Sequence, residues 1–438
     1  MANPDNSQKD TEKIVQGQKS KKYLGFLEIT AFLGWTMVVY EWNLFGDLIG
    51  PVSKILHLDP SQTTFFLAVI QFSMLPVIFL VGYFIDVIGR KKMYSIILFI
   101  ASILTALTGF ATYLGLAPAV AARAGTQGSA QNEQSVAATL VTEEMPARFR
   151  GFLYSIVQSG WPFGVLIASL IAATLYKPLG FRFVWLIAVV PLVLIAVSRF
   201  WVKESTRFEE VLNARKEKSD DEAENFVKVN QAKRLPIKQL FEPDLRNDSI
   251  RAILLYAFYL AGQVPVAVLA AFYKEDILHF SVTTAATVIS VGAALTIPGY
   301  WVNGIISEKI GRKMAGIVGT ILALAGTIWF ATSGHTYILI LPAYSFASFW
   351  INGNFANIIN QINENLPTRV RGTINVFSTG IGQFAWGIVD LVYGFFLVAV
   401  GATGVMIIVT SVTFIISLVI IATWKNVKAG APLESIAT

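Results

Sequence analysis

The chain of 438 residues has no cysteine, three histidines and only 14% charged residues. Without cysteine there are no disulfides, thiolate nucleophiles or Cys-ligated metals. The shortage of charge excludes more. A soluble globular chain carries about 25% charged and roughly 45–50% apolar residues. Here 54% of residues are hydrophobic and the mean hydropathy is +0.59, too little polar material to coat a soluble surface. No Gly-x-x-x-x-Gly-Lys-Ser/Thr loop, His-Glu-x-x-His pair or Gly-x-Ser-x-Gly elbow occurs, so ATP-driven transport and the commonest hydrolases have no motif support. Residues 1–22 are polar and lack the apolar run of a signal peptide, which predicts a cytoplasmic N-terminal tail. The expectation is a membrane protein, not an enzyme, with no cofactor and no metal.

What the chain does have is long apolar runs. A spanning helix needs about 20 mostly apolar residues to cross a hydrocarbon core of roughly 30 Å. Twelve such stretches are expected, near 23–46, 62–84, 93–115, 117–141, 152–176 and 183–201, then 252–272, 283–306, 314–333, 337–362, 373–398 and 402–424. The fourth is interrupted by Arg123, Gln127, Gln131, Asn132, Glu133 and Gln134. The expected organisation is a tail at 1–22, a six-helix bundle at 23–201, a polar linker at 202–250, a second bundle at 251–424 and a tail at 425–438.

The formal charge of +6 invites a nucleic-acid reading, but its distribution argues otherwise. With the N-terminus inside, 29 of the 34 Lys and Arg fall on the cytoplasmic side. Outside lie Lys54, Lys177, Arg182 and Lys274, and Arg123 falls within a helix. Such an asymmetry sets topology, with both termini inside. The basic excess needs no anionic partner.

The two halves repeat. Gly82-Tyr-Phe-Ile-Asp86-Val-Ile-Gly89-Arg90-Lys91 recurs in the second half as Gly304-Ile-Ile-Ser-Glu308-Lys-Ile-Gly311-Arg312-Lys313. Glu143-Glu-Met-Pro146-Ala-Arg148-Phe-Arg150-Gly151 recurs at nearly the same offset as Glu364-Asn-Leu-Pro367-Thr-Arg369-Val-Arg371-Gly372. Each falls at the cytoplasmic end of corresponding helices. A carboxylate there (Asp86 or Glu308) can accept from neighbouring helix N-termini and pair with Arg90 or Arg312. With Glu143, Arg150, Glu364 and Arg371, these residues make a candidate cytoplasmic gate that holds two bundles together. The alternative is charge that only sets topology. A parallel duplication of six helices suits transporters that rock two bundles around a midplane site.

These residues resemble the major facilitator superfamily of secondary transporters, whose signature loop is similar to the Gly82–Lys91 stretch. Within it the sugar-porter and metabolite–proton symporter branches are most similar, through Arg123, Glu143, Pro146, Arg150 and Gly151. Gly180-Phe-Arg182-Phe and Glu204-Ser-Thr-Arg207 resemble later motifs of those branches. Gln158 falls where sugar porters place a sugar-binding glutamine. The sequence departs from the pattern in the glycine run after Arg123, of which Gly125 and Gly128 remain, and in the seventh helix, which has the single Gln263. The resemblance implies an all-α fold of twelve helices in two six-helix bundles.

Ionisable groups inside a membrane are costly, and Glu28, Glu41, Arg123, Glu133 and Asp390 each need a reason. Glu41 lies about 17 residues, or roughly 25 Å, from the cytoplasmic start of its helix. Arg123 lies about 6 residues, or roughly 9 Å, from the external start of an oppositely running helix, at similar depth. Tyr40-Glu41 resembles the Tyr-Asp pair that faces this arginine in related proton symporters. A paired Glu41 stays ionised, and its protonation would release Arg123, so the two are candidates for proton coupling. A permanent structural ion pair is the alternative. Glu28 is expected to be solvated, and Glu133 to make either a packing or a transport contact.

Candidate substrate-binding residues are Tyr40, Gln158, Trp161, Gln263, Asn357, Gln383, Trp386 and Asp390. Asn357 belongs to an amide series in the tenth helix (Asn352, Asn354, Asn357, Asn360, Gln361, Asn363) that either lines an aqueous cavity or joins helices. The expected function is alternating-access transport, in a cell (plasma) membrane, of a small polar solute with a proton. The solute is a sugar or polyol, or a small carboxylate that Arg123 binds. The expected partners are solute, protons and lipid, with no nucleic acid, and the chain is expected to be a monomer. An uncoupled facilitator and a transport-dead membrane sensor are the competing readings.

Overall fold

The computed structural model describes residues 20–88, 90–203, 236–272, 282–334 and 336–426. Most of the expected linker, including Glu204 and Arg207, lies outside the described residues. So do Gly89, His279 and His335. Regular structure among the described residues is helical throughout. In the first half the long helices are α1 (Lys21–Asp47), α2 (60–88, interrupted at Met74), α3 (Arg90–Ala111), α4 (Leu116–Glu144), α5 (150–179, interrupted at Ser159) and α6 (181–198). The second half holds α7 (Arg246–Phe272), α8 (Val282–Ile310), α9 (Arg312–Thr332), α10 (Tyr337–Asn365), α11 (368–400) and α12 (402–423). The second bundle therefore starts at Arg246, inside the segment expected to be linker.

Local chemistry sets several boundaries. Asp59 and Gln62 form a reciprocal capping box in front of α2, with Pro60 at the first helical position. The reversals from α5 to α6 and from α11 to α12 occur at Gly180 (φ 74°) and Gly401 (φ 69°). Both angles lie in the left-handed region that glycine enters without a Cβ clash. The two glycines stand as far apart along the chain as the paired motifs do, so the duplication extends to the hairpins at the far face.

Among the described residues nine helices are long and apolar enough to cross a membrane. Helices α4 and α10 fall short because amides, hydroxyls and charges replace apolar side chains along them. Both are buried along most of their length, so that polarity never meets lipid. The outer helices have the reverse pattern. On α12 the exposed residues Ile408, Val412, Ile415 and Val419 follow a three-and-four spacing, and on α3 Ile96, Phe99, Ile103, Leu107 and Phe110 form a similar stripe. The protein is apolar outside and amide-rich within.

Glycine lets the helices approach closely. A Cβ on Gly164 of α5 would lie 2.6 Å from the Thr36 carbonyl oxygen of α1, and one on Gly299 of α8 would lie 2.7 Å from the Phe349 carbonyl oxygen of α10. Small residues at crossings are how membrane helices pack without a hydrophobic drive between them. Across the halves, α2 runs beside α11, where a Cβ on Gly82 would collide with Val376 and one on Gly380 would lie 2.8 Å from Phe79. Helices α5 and α8 meet at Gly304 and Ser155. The ends of α2, α4, α8 and α10 share one face of the bundle with the start of α1, called here the start face. There the Tyr23 hydroxyl accepts a hydrogen bond from the Lys203 amide (2.8 Å), and the Trp424 indole donates to Asp248 (3.0 Å).

The cysteine-free chain allows a direct test of the α2–α11 contact. Ser135 of α4 is buried and lies 3.3 Å from Thr379 of α11. Gly82→Leu should wedge the halves apart at the start face and speed maleimide labelling of a Ser135→Cys reporter by about tenfold, equivalent to ~1.4 kcal/mol toward the open state. Unchanged labelling would show that this contact does not limit opening.

Candidate functional site

Among the described residues the first bundle holds two fully buried ion pairs, both built on α4. Arg123 pairs through Nη1 with Oε1 of Glu41 on α1. Its guanidinium lies 4.1 Å from the ring centroid of Phe45 and 5.5 Å from that of Trp185 on α6. Depth arithmetic brings Glu41 and Arg123 to one level, and in the structure they touch. Val38, Glu41, Trp42, Gln127, Ala130 and Gln131 line a narrow slit between α1 and α4, where Oε2 of Glu41 has no hydrogen-bond partner among the described residues.

The second pair lies closer to the start face and has no counterpart in the sequence reading. Arg199, just beyond α6, donates to both oxygens of Glu133 (2.6 and 2.5 Å) and to the Tyr94 carbonyl (2.8 Å), with its guanidinium 3.6 Å from the Tyr94 ring centroid. Both residues are fully buried. The topology count assigns Arg199 to the cytoplasmic side. The helix that carries it ends inside the bundle, so Arg123 is not the lone buried cation of this half. Gly34 of α1 makes the room, since a Cβ there would collide with Arg199 Nη2. Glu28, expected in solvent, instead holds both carboxylate oxygens out of solvent contact.

At the start face the repeated motifs meet across the halves. Glu308 of α8 accepts from the Gly151 and Phe152 amides at the N-terminus of α5 (2.7 and 3.2 Å), where unpaired N–H groups and the helix dipole favour an anion. Arg312 binds Glu308 (3.1 Å) and Glu364 (3.0 Å). Arg150 reaches Glu364 (3.8 Å), and Arg371 reaches Glu143 (3.3 Å). Acid and base of each second motif thus pair across the halves, Glu143 with Arg371 and Glu364 with Arg150. A Cβ on Gly151 would lie 2.6 Å from Arg312 Nη1, which explains the glycine. Asn360 donates to the Gly151 carbonyl (3.3 Å) and Asn375 to Thr139 (3.2 Å), adding neutral ties. The side chains of Asp86 and Arg90 lie outside the described residues.

The expected substrate residues separate. Tyr40 is fully buried on α1, and its hydroxyl has no partner among the described residues. On α5, the Gln158 amide donates to the Tyr154 hydroxyl (2.5 Å), while its carbonyl oxygen and Gln263 Nε2 on α7 have no partner among the described residues. Gln383 of α11 accepts from Gln71 of α2 (2.9 Å). Trp161 and Trp386 pack half-buried against the core. The Asp390 side chain lies outside the described residues. Asn357 does not join this group. It donates to the Arg312 carbonyl (3.0 Å) and so fastens α10 to α9, because its helix face turns into the second bundle. Three residues escaped the sequence reading: Tyr256, whose hydroxyl donates to Gln134 across the halves (3.1 Å), Tyr154 and Gln134 itself. Gln127, Gln131 and Gln134 follow helical spacing on one face of α4, a signal present in the sequence but read there as an interruption.

Residues 24–390 match the family model described as Major Facilitator Superfamily. The chain belongs to the Major Facilitator Superfamily. A putative niacin/nicotinamide transporter, NiaP, of Bacillus subtilis is 24% identical over 364 residues, covering 83% of this chain and 85% of the relative. The cis,cis-muconate transport protein of Acinetobacter baylyi is also 24% identical, over 68% of this chain and 69% of its own length. Among solved structures, the proton:xylose symporter XylE bound to 6-bromo-6-deoxy-D-glucose superposes with a TM-score of 0.77 over 95% of this chain and 99% of that one, at 17% identity. At that identity the likeness shows the fold alone. This superfamily member is an integral membrane transporter of small metabolites, not an enzyme.

Removing one partner of a buried pair leaves an uncompensated charge and costs about 3–5 kcal/mol. Glu133→Gln should therefore lower the thermal unfolding midpoint of the detergent-solubilised protein markedly. Glu133→Leu combined with Arg199→Met should recover most of that loss. A midpoint that Glu133→Gln leaves unmoved would mean that the pair is not a strut of this bundle.

Proposed function

We propose that this superfamily member moves a small polar metabolite together with a proton, with Glu41 carrying the proton and Arg123 setting its affinity. The observation that carries the reading is the buried Glu41–Arg123 pair. Topology does not require a charge at that depth, and a buried pair is weak evidence for stability because desolvation offsets its Coulomb attraction. Protonating Glu41 removes one charge and leaves Arg123 to be satisfied another way. That couples proton occupancy to the packing of α1 against α4.

The rest of the cycle follows from the halves. The excess of Lys and Arg at the start face supports placing that face, with both termini, in the cytoplasm of a cell membrane. The Glu308, Arg312, Glu364, Arg150, Glu143 and Arg371 network, with Asp86 and Arg90 in the matching loop of the first half, is then a cytoplasmic gate that breaks when the transporter opens inward. Solute would bind between the bundles, against Tyr40, Gln158, Gln263, Gln383, Trp161, Trp386 and Asp390. A sugar or polyol fits the amides. A small carboxylate fits Arg123 and the names of the niacin and muconate relatives. The chain would act as a monomer.

Proteoliposomes carrying the full chain test the coupling. With a pH gradient imposed, wild-type protein should concentrate a transported member of a panel that includes nicotinate, muconate and xylose. Glu41→Gln should lose that accumulation while retaining solute exchange at equal concentrations. A Glu41→Gln variant that still concentrates solute would remove Glu41 from the proton path.

A further inference from the structure

Toward the far face α2 and α4 part. They touch at the interruption of α2, where a Cβ on Gly128 would lie 2.6 Å from Val77 and 2.9 Å from the Met74 carbonyl oxygen. Beyond that crossing a groove of about 640 Å³ opens between them. Val69, Ser73 and Val77 of α2 form one wall, and Ala117, Ala121 and Ala124 of α4 form the other. Among the described lining residues only Ser73 has a polar side chain. On α4 the lining runs from Leu116 to Gly125, roughly 14 Å of helix. That is close to half of a hydrocarbon core of roughly 30 Å, the depth that one leaflet fills.

The groove faces lipid and not the space between the halves. Helix α2 meets α11 through Gln71, Phe72, Phe79 and Gly82. Val69, Ser73 and Val77, spaced by four, lie on the opposite edge of that helix. They continue a stripe whose ends, Phe65 and Leu80, are 70% and 59% exposed. On α4, Ala117, Ala121 and Gly125 are likewise spaced by four, on the side away from Arg123, which points to Glu41. A Cβ on Gly125 would lie 2.7 Å from Leu104, so α3 bounds the groove beyond α4.

We infer that this groove holds one acyl chain of a phospholipid from the leaflet away from the start face. Its walls offer water no more than one hydroxyl, and apolar cavities of this kind stay dry. Left empty, the groove would cost its lining the contacts of a close-packed interior. A hydrocarbon chain supplies those contacts, needs no hydrogen-bond partner, and lies at the depth of the groove. Arg123 belongs to the stretch of α4 that forms the wall, so the chain packs against the back of the segment that meets Glu41. The assignment depends neither on which solute the protein carries nor on its coupling to protons.

The test uses the full chain in phosphatidylcholine vesicles, with a small fraction of the lipid carrying a photoreactive diazirine on one acyl chain. After illumination, peptide mapping should find adducts on 116–125 and 69–77 at roughly ten times the level on the exposed α12 stripe from Ile408 to Val419. Ala121→Phe should fill the groove and lower the adducts on 69–77 to the α12 level. Val69→Phe, entering from the other wall, should do the same to 116–125. Because the chain has no cysteine, Ala121→Cys gives an independent reading. Its thiol should resist a charged maleimide in the same vesicles.

Groove adducts no more frequent than those on α12 would make the groove part of the general lipid-facing surface and overturn the assignment. Rapid reaction of Ala121→Cys with the charged maleimide would place the groove on a water-filled path. Disulfide-linked dimers of that variant on oxidation would make it a contact between two copies of the chain. Either result also overturns the acyl-chain site.

Discussion

A charge inside a hydrocarbon slab has to be neutralised by another charge or by dense hydrogen bonding, and the described interior obeys this rule except at Glu28, whose carboxylate has no hydrogen-bond partner among the described residues. Arg123 meets Glu41, Arg199 meets Glu133, Arg312 meets Glu364 and Glu308, Arg150 meets Glu364, and Arg371 meets Glu143. Apart from Arg312–Glu308, four residues apart, each pair joins helices distant in sequence, so charge neutralisation helps decide which helices stand together. Helix α4 illustrates the rule. It is too polar to face lipid, and among the described residues it carries both buried pairs of its bundle, through Arg123 near its start and Glu133 near its middle. Its partners α1 and α6 are fixed by those pairs.

The close contacts serve the same constraint. Gly34 leaves space for the Arg199 guanidinium, and Gly151 leaves space for Arg312 and Glu308. A methyl group at either place would push an ionised side chain from its partner. Glycine here is a charge-placing residue as much as a packing one. The two pairs of the first bundle nevertheless differ. Arg199 uses both terminal nitrogens on Glu133 and adds a backbone carbonyl, which leaves only its Nε without a hydrogen-bond partner among the described residues. Arg123 bonds Glu41 through Nη1, and its Nε and Nη2 have no hydrogen-bond partner among the described residues.

Much of this was legible beforehand. Composition and hydropathy separate membrane helices from the rest, because the slab has a fixed thickness and excludes charge over that length. The recurrence of both charged motifs at a common offset predicts the doubled bundle and the motifs that meet at the start face. Depth places Glu41 and Arg123 at one level, since two helices of known direction set their residues at calculable heights, and the resemblance to proton symporters implies that the two face each other. Helical rise does not give azimuth, and the failures are of that kind. Asn357 lies at a plausible depth but faces α9 instead of the partner bundle. Arg199 lies near a helix end, where a residue is solvated or buried according to what surrounds it.

The amino-acid sequence by itself determined the solvent of this protein, its helices, its duplication and the common level of Glu41 and Arg123, because each depends on local composition and on distance along one axis. The tertiary structure decided who pairs with whom around that axis. It gave Glu133 to Arg199, and crossed Glu143 with Arg371 and Glu364 with Arg150. Those choices depend on helix rotation and on the space that a few glycines leave, and both are settled only when all the helices pack at once.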